Sequence, residues 1–242
     1  MLLLLFNCAC TISSDRGREG KSENPPSPGF DLANSDPAAV ELADSIMVAV
    51  GGRDNWDNTR YITWRFYGER EFAWDRRSGS VRFESFQDST TYLFRAGGEG
   101  GRVQIGEKEI HEPDSLSAML HDARSEWRND SFLLVMPFRL KGDGITLKYL
   151  GEERTDSARY NLLQVTVSEG SEAPPGDYIA YVDLTDNLIK MCLELDEDSR
   201  DADDFLVRWD NYRKDGNILL PAPAAGDVQV HRRLPEEVFE EF

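Results

Sequence analysis

The sequence predicts a mainly β, α+β fold: one strongly curved antiparallel sheet, or half-open β-barrel, of about eleven strands. An N-terminal helix and a helical insert are expected to cover its concave face. Three observations predict this. Apolar and polar residues alternate with period two through most of residues 60–232. Only two clear stretches switch to the helical period. The connections are short and carry hairpin dipeptides such as Ser78-Gly79 and Asp215-Gly216. Two helices cannot cover both faces of so large a sheet, so curling it over them buries both apolar stripes.

The chain opens with MLLLLFNCAC, too short to span a bilayer as a helix. Residues 1–10 read as the apolar core of an export signal. They resemble a lipobox, which makes Cys8 or Cys10 the expected lipid attachment. Residues 11–35 are rich in Ser, Gly, Pro and charge and have little to bury, which predicts a disordered tether. Residues 36–242 follow as one domain, because no shift in composition divides them and no repeat of solenoid length occurs.

That domain begins with a helix. Asp36 suits the N-cap and Pro37 the first turn. Val40, Ala43, Met47 and Val50 form a stripe, and Gly51-Gly52 ends it. Trp56 is expected to anchor the helix end. Then Ile62, Trp64 and Phe66 share one strand face. Phe72 and Trp74, Val81 and Phe83, Tyr92 and Phe94, and Val103 and Ile105 continue as a meander of about five strands. After Pro113-Asp114, Leu116, Met119, Leu120, Ala123 and Trp127 make an amphipathic stripe that Asn129-Asp130 is expected to break. Residues 131–136 are apolar without a period, so helix and strand both remain open, and Pro137 is expected to end the piece. Strands return at 145–149, 161–167, 178–183, 188–195, 205–212, 217–220 and 228–232.

Forty-five acidic residues stand against 27 basic ones, a formal charge of −18. Such a chain repels phosphate backbones, which argues against nucleic-acid binding, and it is expected to be a soluble monomer.

Several stretches carry a resemblance. Trp74-Asp75-Arg76 with Ser78-Gly79 and Arg82, Asn129-Asp130-Ser131-Phe132 leading to Met136-Pro137-Phe138-Arg139-Leu140, Leu147 to Glu153, and Pro175-Gly176-Asp177-Tyr178 look like a family of exported bacterial proteins of unknown function. With the helix, Gly51-Gly52, Trp56 and the meander, the chain resembles the LolA/LolB-like lipoprotein-carrier fold over roughly residues 36–232. The resemblance implies an open barrel whose concave face holds acyl chains under a helical lid. No specific ligand-binding motif of the carriers is matched, so no individual residue is carried over.

Chemistry-bearing patterns are few. His111, His121 and His231 lack ligand spacing, so no metal is expected. No G-x-S-x-G occurs, and Cys192 sits in an apolar strand. The acidic run 196–204 lacks the glycine and closing glutamate of a calcium loop, and no cofactor is implied. The aromatics remain. Trp64, Phe66, Phe72, Trp74, Phe83, Tyr92 and Phe94 would line the concave face, either as a packed core or as the wall of a cavity. Leu116, Leu120 and Trp127 would close it from the insert.

The expected function is a membrane-tethered envelope protein that binds a lipid, a lipoprotein acyl chain or another hydrophobic ligand in a half-barrel. It would sit on the periplasmic face of the bacterial outer membrane or in the periplasm. The alternative is a structural or interaction lipoprotein with a filled core. A hydrolase of envelope polymers is the third reading, and the chain is expected not to be an enzyme.

Overall fold

The computed structural model describes residues 24–66, 68–155, 158–195, 205–209, 211–222 and 227–242. Cys8, Cys10, the tether to residue 23 and the acidic run 196–204 lie outside the described residues.

The first helix, α1 (Pro37–Ala49), forms where its stripe predicts. Its N-cap works differently from the expectation. The Asp36 carboxylate does not cap α1 but accepts from the Tyr149 backbone N–H at 3.0 Å. Gly51 and Gly52, at φ +115° and +85°, turn the chain into the short helix α2 (Arg53–Asn58). A Cβ on Gly51 would lie 2.3 Å from the Asn217 carbonyl oxygen. Gly51→Ala is therefore expected to cost about 1–3 kcal/mol or more in strain, read as a lowered midpoint in thermal unfolding.

Seven strands form one antiparallel sheet: β1 (Tyr61–Phe66), β2 (Arg70–Asp75), β3 (Ser80–Ser85), β4 (Thr90–Arg95), β5 (Gly101–Ile105), β6 (Lys108–Glu109) and β14 (Val228–His231). Their order is β14-β1-β2-β3-β4-β5-β6. A second antiparallel sheet runs β11-β10-β9-β8-β7, from β7 (Ile145–Arg154), β8 (Arg159–Val167), β9 (Gly176–Asp183), β10 (Ile189–Leu195) and β11 (Phe205–Arg208). A hairpin of β12 (Asn211–Asp215) and β13 (Ile218–Ala222) stands apart. The class is the one expected: mainly β, antiparallel, with a curved seven-stranded sheet and no closed barrel among the described residues. The detail is richer than about eleven strands. The apolar run 205–212 is two strands, because β11 pairs with β10 while β12 pairs with β13.

The insert differs most. It is a single helix, α3 (Pro113–Arg139), of 27 residues, about 40 Å long at 1.5 Å per residue. Glu112 caps its start by accepting from the N–H groups of Asp114 and Ser115. Neither Asn129-Asp130 nor Pro137 ends it. The apolar run lacks a period because it is buried on all sides. Leu134, Val135 and Phe138 enter the core of the seven-stranded sheet. Phe132, Leu133 and Met136 enter the core of the five-stranded sheet, which also takes Ala39, Leu42, Ala43 and Ile46 of α1. Asp130 tolerates burial because Arg70 meets it. Pro137 lies near the last turn, where one lost backbone bond is offset by this packing.

The tether also needs correction. Residues 24–36 lie along the start of β7 and the turn before it, where the backbone N–H groups of Ser27, Asp31 and Asp36 donate to the carbonyls of Lys141, Ile145 and Leu147. They pair polar groups at the start of an edge strand. Phe30 packs against the second core, and Asn24 donates to Asp44. At the far end, α4 (Glu237–Glu240), which no periodicity announced, is held by Arg82 and Arg102, which donate to the carbonyls of Glu241 and Glu240.

Candidate binding face

Strand register builds the aromatic face rung by rung. Trp64, Phe72, Phe83, Tyr92 and Val103 are successive cross-strand partners from β1 to β5. Their rings stack at 4.8, 4.6 and 4.9 Å between centroids. The next rung is Ile62, Trp74, Val81, Phe94 and Gly101. Residues two apart on a strand share a face, so both rungs look the same way. Gly101 ends the second rung where space runs out: a Cβ would meet Leu120 Cδ2 of α3 and the Leu93 carbonyl oxygen, each at 2.7 Å.

The first half of α3 lies on these rungs. Trp127 meets Trp74 and Phe94 edge-on, at 5.6 and 6.5 Å. Leu120 and Ala123 are buried beside it, and Leu116 is half-buried. Trp56 of α2 stacks on Phe138 at 4.3 Å. All ten residues expected to make the face or its cover therefore fall in one cluster. Trp64, Phe66, Phe72, Trp74, Phe83, Phe94, Leu120 and Trp127 are no more than 7% exposed, so α3 fills the face in this conformation. The indole N–H groups of Trp64, Trp74 and Trp127 are buried without an acceptor among the described residues, although buried donors ordinarily find one.

Phe66 sits at the end of the face and lines a cavity of about 430 Å³ with Arg70, Asp130, Phe132, Leu133 and Tyr178. Arg70 grips Asp130 through two bonds, at 2.6 and 3.1 Å. Burial still raises the Asp130 carboxyl above its ordinary range, and burial likewise raises Glu126. This pair was not singled out in the sequence, where Arg70 and Asp130 lie 60 positions apart. A second group also went unseen: Arg76, Arg124, Arg128 and Arg139, which line one cavity. A signal for it existed, since Arg124 and Arg128 are one helical turn apart in a chain short of positive charge.

Two other reactive side chains are occupied. Cys192 is buried beside Met136, and burial pushes its thiol up to about 12, which makes it a poor nucleophile at neutral pH. His231 shares a hydrogen bond with Thr63 at 2.8 Å.

No family model and no curated protein matches the chain. Solved structures do. The chain is similar to a DUF1329 family protein from Desulfovibrio piger, with 14% identity and a TM-score of 0.44 over 86% of this chain and 98% of that one. It is similar to a LolA superfamily protein from Nitrosomonas europaea, with 12% identity and a TM-score of 0.40 over 81% and 96%. A third is the Mycobacterium tuberculosis lipoprotein LppX, with 10% identity and a TM-score of 0.28 over 66% and 88%. Among the described residues, no helix is long and apolar enough to cross a membrane.

Proposed function

We propose that the protein is an exported, membrane-tethered carrier or sensor of an apolar ligand, which enters between the seven-stranded sheet and α3. The single observation that carries this reading is the asymmetry of α3. Its second half, 130–138, is wedged between two cores and cannot leave without unfolding both. Its first half is amphipathic and lays one stripe on the aromatic rungs, with its other side in water. That is the construction of a lid with a fixed root.

The energetics suit exchange. Lifting the first half exposes Leu116, Met119, Leu120 and Trp127 together with the rungs beneath. An acyl chain laid on the rungs restores apolar contact at about 0.8 kcal/mol per CH₂. The indole of Trp64, which has no acceptor among the described residues, offers a donor to an ester or carboxyl oxygen. No catalytic step is assigned to the face. Export, the lipid anchor on Cys8 or Cys10 and a periplasmic location on the outer membrane are part of the same proposal.

A second reading has its own support. The face is filled, as expected of an interaction lipoprotein with no ligand. Native mass spectrometry of the full chain purified from membranes separates the two. The carrier reading expects adducts in the mass range of lipids, beyond any covalent anchor. A chain that stays bare after incubation with lipid vesicles favours the filled-core reading.

A further inference from the structure

The chain carries a formal charge of −18, yet one cavity is basic. It measures about 640 Å³ and lies between the β2–β3 turn, the middle of α3 and Glu172. Five arginines line it: Arg76, Arg77, Arg124, Arg128 and Arg139. Among the described residues, the lining holds one carboxylate, Glu172, whose side chain is 85% exposed and reaches Arg139 at 3.4 Å, while Asp57 and Glu99 act on Arg76 and Arg124 from outside the lining. Such crowding is unfavourable by itself. Burial, and after it the charge of Arg139, pulls Arg76 down to about 10. Burial also lowers Arg124 and Arg139.

Six buried side-chain donors have no partner among the described residues, and five of them belong to this cavity's lining. They are the Nε groups of Arg76, Arg124 and Arg128 and the indole N–H groups of Trp74 and Trp127. Both indoles are more than nine-tenths buried. The indole nitrogen is a donor with no acceptor capacity, and so is a guanidinium, so no rearrangement within this set can satisfy it.

Not every arginine here is free to serve a ligand. Arg76 is held in place: it donates to the carbonyls of Trp56 and Thr59 and stacks 3.4 Å from the Trp56 ring centroid. Among the described residues, Arg124 donates to the carbonyls of Gly100 at 2.7 Å and Leu120 at 3.4 Å and lies 5.4 Å from the Phe94 ring centroid, with no ion pair. Arg128 has no ion pair or side-chain hydrogen bond among the described residues. Arg124 and Arg128 lie one turn apart on α3 and face the cavity's other basic wall. Exposed Arg77 and His121 also line the cavity, so it can be reached from water.

We infer that this cavity binds a phosphate group, clamped by Arg124 and Arg128 from the middle of α3 and by Arg139 from its last turn, with the fixed charge of Arg76 after β2 as a further wall. A phosphate ester suits the site better than a carboxylate. It offers three or more acceptor oxygens in a tetrahedron, and guanidinium forks on several sides can each engage one or two of them. The volume leaves room for the group to which the phosphate is bonded. The site goes beyond the acyl-chain proposal and does not depend on it. The phosphate can come from a soluble ester or from a lipid headgroup whose chains reach the neighbouring aromatic rungs.

The test is titration calorimetry on the full chain with inorganic phosphate, glycerol 3-phosphate and dihexanoyl phosphatidic acid. Each should bind, and each affinity should fall at least about tenfold in Arg124→Gln/Arg128→Gln. Arg154→Gln/Arg159→Gln removes the same charge from an exposed strand pair elsewhere and should leave binding unchanged. Arg128→Gln alone breaks no described contact, and it keeps the test decisive if the double variant does not fold. It should weaken binding without lowering the unfolding midpoint. Equal affinity for glycerol phosphate and the lipid assigns a soluble source, and markedly tighter lipid binding assigns a headgroup. The inference is overturned if inorganic phosphate and both esters fail to bind, or if the control pair weakens binding as much as the cavity pair. Failure of phosphate with acyl uptake intact removes this site alone. Phosphate binding without acyl uptake removes the lid proposal alone.

Discussion

Trp127→Ala is expected to cost about 3–5 kcal/mol, the range for removing a large aromatic side chain from a packed core. The residue is 7% exposed and closes edge-on against Trp74 and Phe94 from two strands. Truncation leaves a void between sheet and helix that neither ring can fill without abandoning its own rung. Urea unfolding followed by circular dichroism checks the loss. Hydrogen exchange adds a second readout, because local openings differ in free energy along a chain. Amides of the first half of α3 should exchange sooner in this variant than those of 130–139, whose root between the two cores is untouched. Equal acceleration along the whole helix would contradict the division of α3 into lid and root.

The second large effect concerns Arg70 and Asp130. Breaking a buried pair by removing one partner costs about 3–5 kcal/mol when the other charge is left stranded. The partners are unequal here. The Asp130 side chain is 5% exposed, whereas that of Arg70 is 28% exposed and can turn towards water. Arg70→Met should therefore cost several times more than Asp130→Asn. It should also make stability depend on pH. Burial already holds the Asp130 carboxyl above its unfolded value despite Arg70, and without Arg70 the rise is larger. A carboxyl whose folded pKa is raised binds protons more readily in the folded state. The penalty is therefore full above the raised pKa and shrinks as pH falls through it towards the ordinary carboxylate range. Chemical denaturation of both variants and wild type at neutral and mildly acidic pH checks the order and the sign. A larger loss for Asp130→Asn would contradict it.

The strands were legible because half-burial writes itself as alternation. Ile62, Trp64 and Phe66 on β1 face the core, and Val81 and Phe83 follow on β3. The membership of the aromatic face followed from that alternation and from the short turns, which fix neighbours. What alternation could not show was whether the face is open, since that depends on how far α3 reaches. The helix was misread at Asn129-Asp130 and Pro137 because both are local breakers, and their tertiary partners are far away in sequence. Arg70 makes Asp130 tolerable, and two cores hold the turn around Pro137. The division into two sheets was hidden for a related reason: residues 205–212 read as one strand, and only pairing partners distinguish β11 from β12. The arginine cavity gathers Arg76, Arg124 and Arg139 from a turn and two levels of one helix. No single stretch displays it, although basic residues at i and i+4 in so acidic a chain were its visible trace.

The central claim is that α3 opens over the aromatic rungs. Leu120 and Gly101 offer a direct test, because a Cβ on Gly101 points at Leu120; truncating the leucine removes one of its two close contacts, and the other, to the Leu93 carbonyl oxygen at 2.7 Å, requires a small shift of β5. A Gly101→Cys/Leu120→Cys variant should form a disulfide that pins the lid to β5. A fatty acid brominated on its chain quenches indole emission on contact. Titrated into the wild-type chain and the reduced variant, it should quench most of the tryptophan fluorescence, and the oxidised variant should resist until a reductant is added. Unquenched emission in wild type, or equal quenching in the oxidised variant, would contradict the claim.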